Sequence, residues 1–274
     1  MPRARVRLWS TALDPEQVAL ALQDRRHGDA QVSAWRDALR GRVLDESEEI
    51  RDPDFEAVAA EDLRLIVDGY DELFLDGLLG ELLVHHGASL ETRVSRRLTS
   101  SAGCTRRKRS RKGGPDRYDV AVSAPLLFGT FRGEARAVSV AGLACSDRLD
   151  ALLTVLEHEL VHLLEMLVWD VSSCRRPRFH DLATGLFAHR EATHRLVTPR
   201  ELAARHLGVK PGTVVAFEHG GRTLVGLVSR ITRRATVLVP DRAGRRYTDG
   251  KRYSRYYVPL DALRVEKLHA ENRS

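Results

Sequence analysis

Residues 147–168 read DRLDALLTVLEHELVHLLEMLV, and the fold turns on how this stretch is placed. Leu149, Leu152, Leu156, Leu160, Leu163 and Leu167 keep helical spacing, and Leu153, Val155, Val161 and Leu164 fill the other sides. A helix that is apolar nearly all round packs on more than one side, inside a domain. Yet the same stretch carries Glu157, His158, Glu159, His162 and Glu165. Burying such groups without partners costs several kcal/mol, of the order of 2–7 for each polar group. Two remedies are open: a bound divalent cation, or salt bridges from the arginine-rich remainder of the chain.

Residues four apart on a helix share a face. His158 and His162 can therefore hold one cation through their ring nitrogens, while Glu159 projects to the side, within reach of a water on that cation. Two histidines, a third ligand from elsewhere and a carboxylate base are what zinc-dependent hydrolysis uses. The spacing also arises by chance, so the buried apolar setting is what gives it weight. Ala151, Thr154 and Glu165 lie on the histidine stripe; Glu165 is expected as an acceptor for an imidazole N–H or as a ligand.

Outward from this helix the texture is mixed. Asp14-Pro15 predicts a helix ending near Gly28. Further helices are expected over 31–40 and 56–86, the second broken near Gly77 or Gly80, with Leu63, Ile66, Val67, Tyr70, Leu73 and Phe74 on its apolar face. Glu91–Ser95 and Tyr118–Val122 alternate as strands, with Gly113–Asp116 as a turn, and Ala137–Val140 is another strand. A helix begins at Pro177, and Thr198–Glu201 is a capping box with Pro199 at N1, opening a helix that stops at Gly208. After Pro211-Gly212, the β-rich runs Thr213–Phe217, Thr223–Ile231 and Ala235–Val239 predict a small antiparallel barrel. The expected class is α+β. The expected parts are an N-terminal helical segment (1–55), the domain carrying the histidine helix (56–197), a linker helix (198–210) and a small basic β-barrel (211–266).

Charge is unevenly spread. The chain carries net +6, but residues 199–274 hold 16 Lys/Arg against 7 Asp/Glu, and the remainder is slightly acidic. A second basic run spans Arg106–Lys112; it offers either a phosphate contact or only a hairpin tip. Tyr247, Tyr253, Tyr256 and Tyr257 stand among Arg245, Arg246, Lys251, Arg252 and Arg255. Cations for phosphate and aromatic faces for bases suit nucleic acid without sequence-specific reading. The alternative is that the tyrosines pack into the barrel core and the arginines keep it soluble. Three cysteines without a C-x-x-C pair argue against a disulfide framework and fit a reducing compartment, so a cytoplasmic location is expected. No apolar run reaches the roughly 18–20 residues of a membrane span, and Arg3, Arg5 and Arg7 are followed by no signal-peptide core.

Several segments together resemble the SprT-like metalloprotease family, which includes the Spartan proteases acting on DNA–protein crosslinks. Phe74-Leu75-Asp76-Gly77, Ser95-Arg96-Arg97-Leu98-Thr99, Tyr118-Asp119-Val120 and His158-Glu159-Leu160-Val161-His162 occur in the family's order. Leu186–His194 resembles the stretch that follows its metal site. The resemblance covers about residues 60–196. It implies a zincin-like zinc peptidase, with His158 and His162 as Zn2+ ligands, Glu159 as catalytic base, a protein substrate and, through the basic C-terminal segment, nucleic acid as partner. The family takes its third ligand from the histidine of an H-G-x-x-F pattern, but here Arg175 stands in that place before Phe179, and a guanidinium cannot ligate zinc. Cys174 is the expected substitute, with His180 and Glu165 as alternatives. His189 and His194 are expected to be structural or at the surface. The competing expectations are an inactive relative that serves only to bind nucleic acid, and a zinc hydrolase of small amides.

Overall fold

The Asp14 carboxylate accepts a hydrogen bond from the Glu16 N–H at 3.0 Å, and Pro15 stands at N1, so the first helix starts where the sequence predicts. The computed structural model describes residues 14–110, 114–131 and 137–266, and the chain divides into two units, 1–196 and 197–274. Arg3, Arg5 and Arg7 lie outside the described residues, as do Arg111, Lys112 and Gly113.

In the first unit, α1 (Pro15–Asp24) and α2 (Asp29–Glu46) precede α3 (Ala60–Phe74) and α4 (Leu78–His85). The expected 56–86 helix breaks at Gly77, whose φ of +83° favours glycine, and the Asp71 carboxylate then accepts from the Leu79 and Gly80 N–H groups to start α4. β1 (Ser89–Ser95), β2 (Gly103–Lys108) and β3 (Arg117–Ser123) form a sheet of order β1-β3-β2. β1 runs parallel to β3 and β2 antiparallel to it, and Gly114–Asp116, the described part of the expected turn, precedes β3. A short helix α5 (Ala124–Gly129) follows. The strand expected over 137–140 contracts to β4 (Ser139–Val140), paired with β5 (Leu143–Ala144). Then come α6 (Arg148–Trp169) and α7 (Pro177–Phe187).

α6 is buried on most of its circumference, against α2, α3, α7 and the strand β2. Asp147 caps it by accepting from the Asp150 N–H at 3.0 Å. Of its charged residues, Glu157 is fully buried. Arg36 of α2 grips it through two hydrogen bonds of 2.6 and 2.7 Å, and the Tyr70 hydroxyl and His189 Nε2 each donate from 2.8 Å. Burial alone would raise the Glu157 carboxyl, but the hydrogen bonds and charges of His189 and Arg36 hold it below its usual range. His189 is thus structural, as the sequence suggests.

In the second unit, Thr198 and Glu201 form the capping box of α8 (Pro199–Leu207), which ends at Gly208 in the left-handed region. β6 (Val214–His219), β7 (Arg222–Ile231), β8 (Arg234–Arg246), β9 (Arg252–Pro259) and β10 (Arg264–Val265) form one antiparallel sheet of order β10-β6-β7-β8-β9. The expected small barrel is therefore corrected to an open five-stranded sheet. Among the described residues its outermost strands, β10 and β9, do not pair with each other. Ala203 of α8, Val209 and Leu263 cover the apolar face instead, over Val215, Val228 and Val237. A bulge between Val228 and Arg230 adds one unpaired residue to β7.

Removing Arg36 leaves a buried carboxylate short of its strongest partner. Arg36→Ala is expected to lower the unfolding free energy by about 3 kcal/mol, measured by denaturant titration; a loss below about 1 kcal/mol would contradict this account of α6 burial.

Candidate metal centre

His158 and His162 stand one turn apart on α6, their ring centroids 4.9 Å from each other and both packed on Phe179 of α7 at 4.8 and 4.6 Å. The Sγ of Cys174, from the segment between α6 and α7, joins them: the three potential ligand atoms lie within 4.8 Å of one another. The other candidates do not join this group. Glu165 is fully buried with both oxygens engaged, and His180 is exposed on α7.

Burial and the neighbouring His162 push the His158 imidazole down to about 3, and burial lowers His162 as well, so both rings are neutral near pH 7, the form that ligates a cation. For His162 the tautomer follows from its partners. Ser172 Oγ lies 2.6 Å from His162 Nδ1 and 2.6 Å from Glu165 Oε2. The carboxylate only accepts, so the hydroxyl donates to it and must accept from His162 Nδ1–H. The lone pair of His162 is then on Nε2. Arg178 fixes Glu165 from the other side at 2.8 Å and lies over the Trp169 ring at 4.5 Å.

Two imidazoles and a thiol are a zinc donor set. Bond lengths of about 2.0–2.3 Å place tetrahedral ligands roughly 3.3–3.7 Å apart, so the widest pair here has to close by no more than about 1.5 Å. The residues fit the metal in chemistry and nearly in spacing. The arginines qualify one argument from sequence: Arg36 and Arg178 neutralise Glu157 and Glu165, so those two carboxylates need no cation.

Glu159 is different. It is 4% exposed, and its side chain has one polar partner, Thr105 of β2, whose hydroxyl donates to Oε2 at 2.7 Å. Burial, opposed by that bond, pushes its carboxyl up to about 7. Gly103 makes the space: a Cβ there would stand 2.5 Å from Glu159 Oε1 and 2.6 Å from its Cγ. Glu159, His158, His162 and Cys174 all line one cleft of about 610 Å³, bordered by residues 100–105 and by Ala192, Thr193 and His194. His194 therefore faces this cleft, its Nε2 3.3 Å from the Ser100 carbonyl. Thr105, Gly103 and Ser172 were not legible as site residues, because each acts only through a neighbour distant in sequence or across a turn.

Arg245, Arg246, Lys251, Arg252 and Arg255 are all exposed on the β8–β9 hairpin of the second unit. In the described part of the other basic run, Arg107 pairs with Asp116 and Asp170, and Arg109 with Asp170 at 3.1 Å. Among the described residues no helix is long and apolar enough to cross a membrane.

No family model, curated protein or solved structure matches the chain.

Ser172→Ala removes the acceptor that sets the His162 tautomer. It is expected to weaken zinc binding about 10–100-fold, measured by competition with a chelator of known affinity; an unchanged affinity would show that Ser172 plays no part in orienting His162.

Proposed function

We propose that this chain is a zinc-dependent peptidase of SprT-like type, with His158, His162 and Cys174 as ligands. The observation that carries the proposal is the convergence of these three donors beside a buried carboxylate in one cleft. When bound, zinc supplies Lewis acidity, polarising a carbonyl and acidifying a water molecule. Glu159 acts as general base toward that water and returns the proton to the leaving amine. Its burial supports the role, since a carboxyl with raised proton affinity is a better base than an exposed one. Thr105 and the absent side chain of Gly103 hold its carboxylate in position.

The basic second unit brings the enzyme to nucleic acid, so that protein bound or attached there is the substrate. The exposed arginines of the β8–β9 hairpin and the charge of residues 199–274 support this part. An inactive relative that only binds nucleic acid is the second reading, favoured by the arginine at position 175.

Two experiments test the proposal. Purified wild-type protein is expected to hold one zinc per chain, and Cys174→Ala to lose most of it, by elemental analysis; no stoichiometric metal in the wild type would overturn the zinc assignment. Glu159→Gln is expected to abolish cleavage of a DNA-bound protein while retaining zinc and DNA affinity. Should the zinc-loaded wild type cleave nothing with DNA present, the inactive reading stands in its place. Gly103→Ala, which crowds the Glu159 carboxylate, is expected to lower kcat at least ten-fold with zinc content unchanged.

A further inference from the structure

Paired residues of an antiparallel sheet project to the same face. In the second unit one face is the core, with Val215, Val228, Val237 and Val258. The register gives the composition of the other. Leu227 stands opposite Leu238, Leu238 opposite Arg255, and Thr236 opposite Tyr257. Beyond the bulge in β7, Arg230 faces Thr236 and so joins the same face.

This outer face is not the polar surface that a one-sided sheet normally shows to water. Val225 is 47% exposed, Leu227 39% and Tyr257 61%. Single exposed apolar residues are ordinary, but three on one face, with arginines among them, mark a contact surface. Arg255 lies between two tyrosines, its guanidinium donating to the Tyr247 hydroxyl at 3.2 Å and the Tyr257 hydroxyl at 3.4 Å. Among the described residues no carboxylate pairs with Arg230, Arg245, Arg246 or Arg255, whereas Arg107 and Arg109 of the first unit are neutralised by Asp116 and Asp170. Arg230 and Arg255 thus place cations without a carboxylate partner on the same face as the apolar strip.

Charge complementarity points to a polyanion, and the strip says which kind. A duplex offers a surface of phosphates and keeps its bases stacked inside, leaving Tyr257, Leu227 and Val225 with nothing to contact. Single-stranded nucleic acid offers phosphates for the arginines and unstacked bases for the aromatic and apolar side chains. We infer that the outer face of the open sheet is a platform for single-stranded nucleic acid, on which Tyr257 stacks a base, Leu227 and Val225 support its neighbour, and Arg230, Arg245 and Arg255 hold the backbone. The inference rests on the assignment of this unit to nucleic acid and deepens it, since the stacking residue is none of the basic ones.

The test uses the full chain and fluorescence anisotropy with three probes: a 12-nucleotide single strand made as DNA and as RNA, the duplex of the same sequence, and heparin as a polyanion without bases. The wild type is expected to bind the single strand more tightly than the duplex. Tyr257→Ala should weaken single-strand binding about 5–100-fold and leave duplex and heparin binding within about two-fold, while Tyr257→Phe keeps it. Leu227→Ser should act in the same direction, and Arg245→Ala should reduce the salt dependence by about one phosphate contact. Tyr257 is so exposed that its removal leaves the core intact, which a thermal melt checks. If Tyr257→Ala and Leu227→Ser bind the single strand like the wild type, or lose heparin equally, the platform is wrong although the unit still binds nucleic acid. If no probe binds at low salt, both assignments fall.

Discussion

Charge inside an apolar helix is the constraint on which the first unit is built. α6 is buried on several sides and still carries three buried carboxylates, Glu157, Glu159 and Glu165, and two imidazoles. Each must be met by something, and the neighbouring elements are arranged to meet them. Arg36 brings α2 against α6, Tyr70 brings α3, and His189 brings the chain that follows α7, all onto Glu157. Arg178 and Ser172 meet Glu165. A well-packed apolar replacement of such an ion pair is often as stable, so these contacts specify the arrangement of helices more than they strengthen it.

That arrangement leaves the cleft side of α6 for chemistry. With Glu157 and Glu165 satisfied from behind, Glu159 and the two imidazoles are the polar groups of α6 that face the cavity. Ser172 passes the influence of Glu165 to the near ring, so the supporting network and the site meet in one hydroxyl. Gly103 contributes by having no side chain, which lets β2 pass close to the carboxylate.

How much of this was legible follows from the range of each signal. Helix starts at Asp14, Asp147, Pro177 and Thr198 depend on three or four adjacent residues and could be read directly. The His158–His162 pair is local in the same sense, and Cys174 was within reach because its neighbours have a recognisable order. Arg36 and Glu157 are 121 residues apart, and nothing local announces their pairing. The same holds for the sheets: the parallel pairing of β1 with β3 and the failure of β9 and β10 to meet depend on long-range register. β9 itself was hidden because its arginines and tyrosines read as a charged surface, and only its pairing with β8 makes it a strand.

The extra residue in β7 has a consequence for how this sheet can vary. Strand residues alternate between faces, so without the bulge Arg230 would turn inward and Ile231 outward. With it, a cation is delivered to the wet side and a methyl-rich side chain to the dry one within two consecutive positions. The bulge thus absorbs an odd residue: with Ser229 deleted, Arg230 would follow Val228 in plain alternation. Both Arg230 and Ile231 would keep their faces, so the strand can lose this one position without changing the pattern of either side.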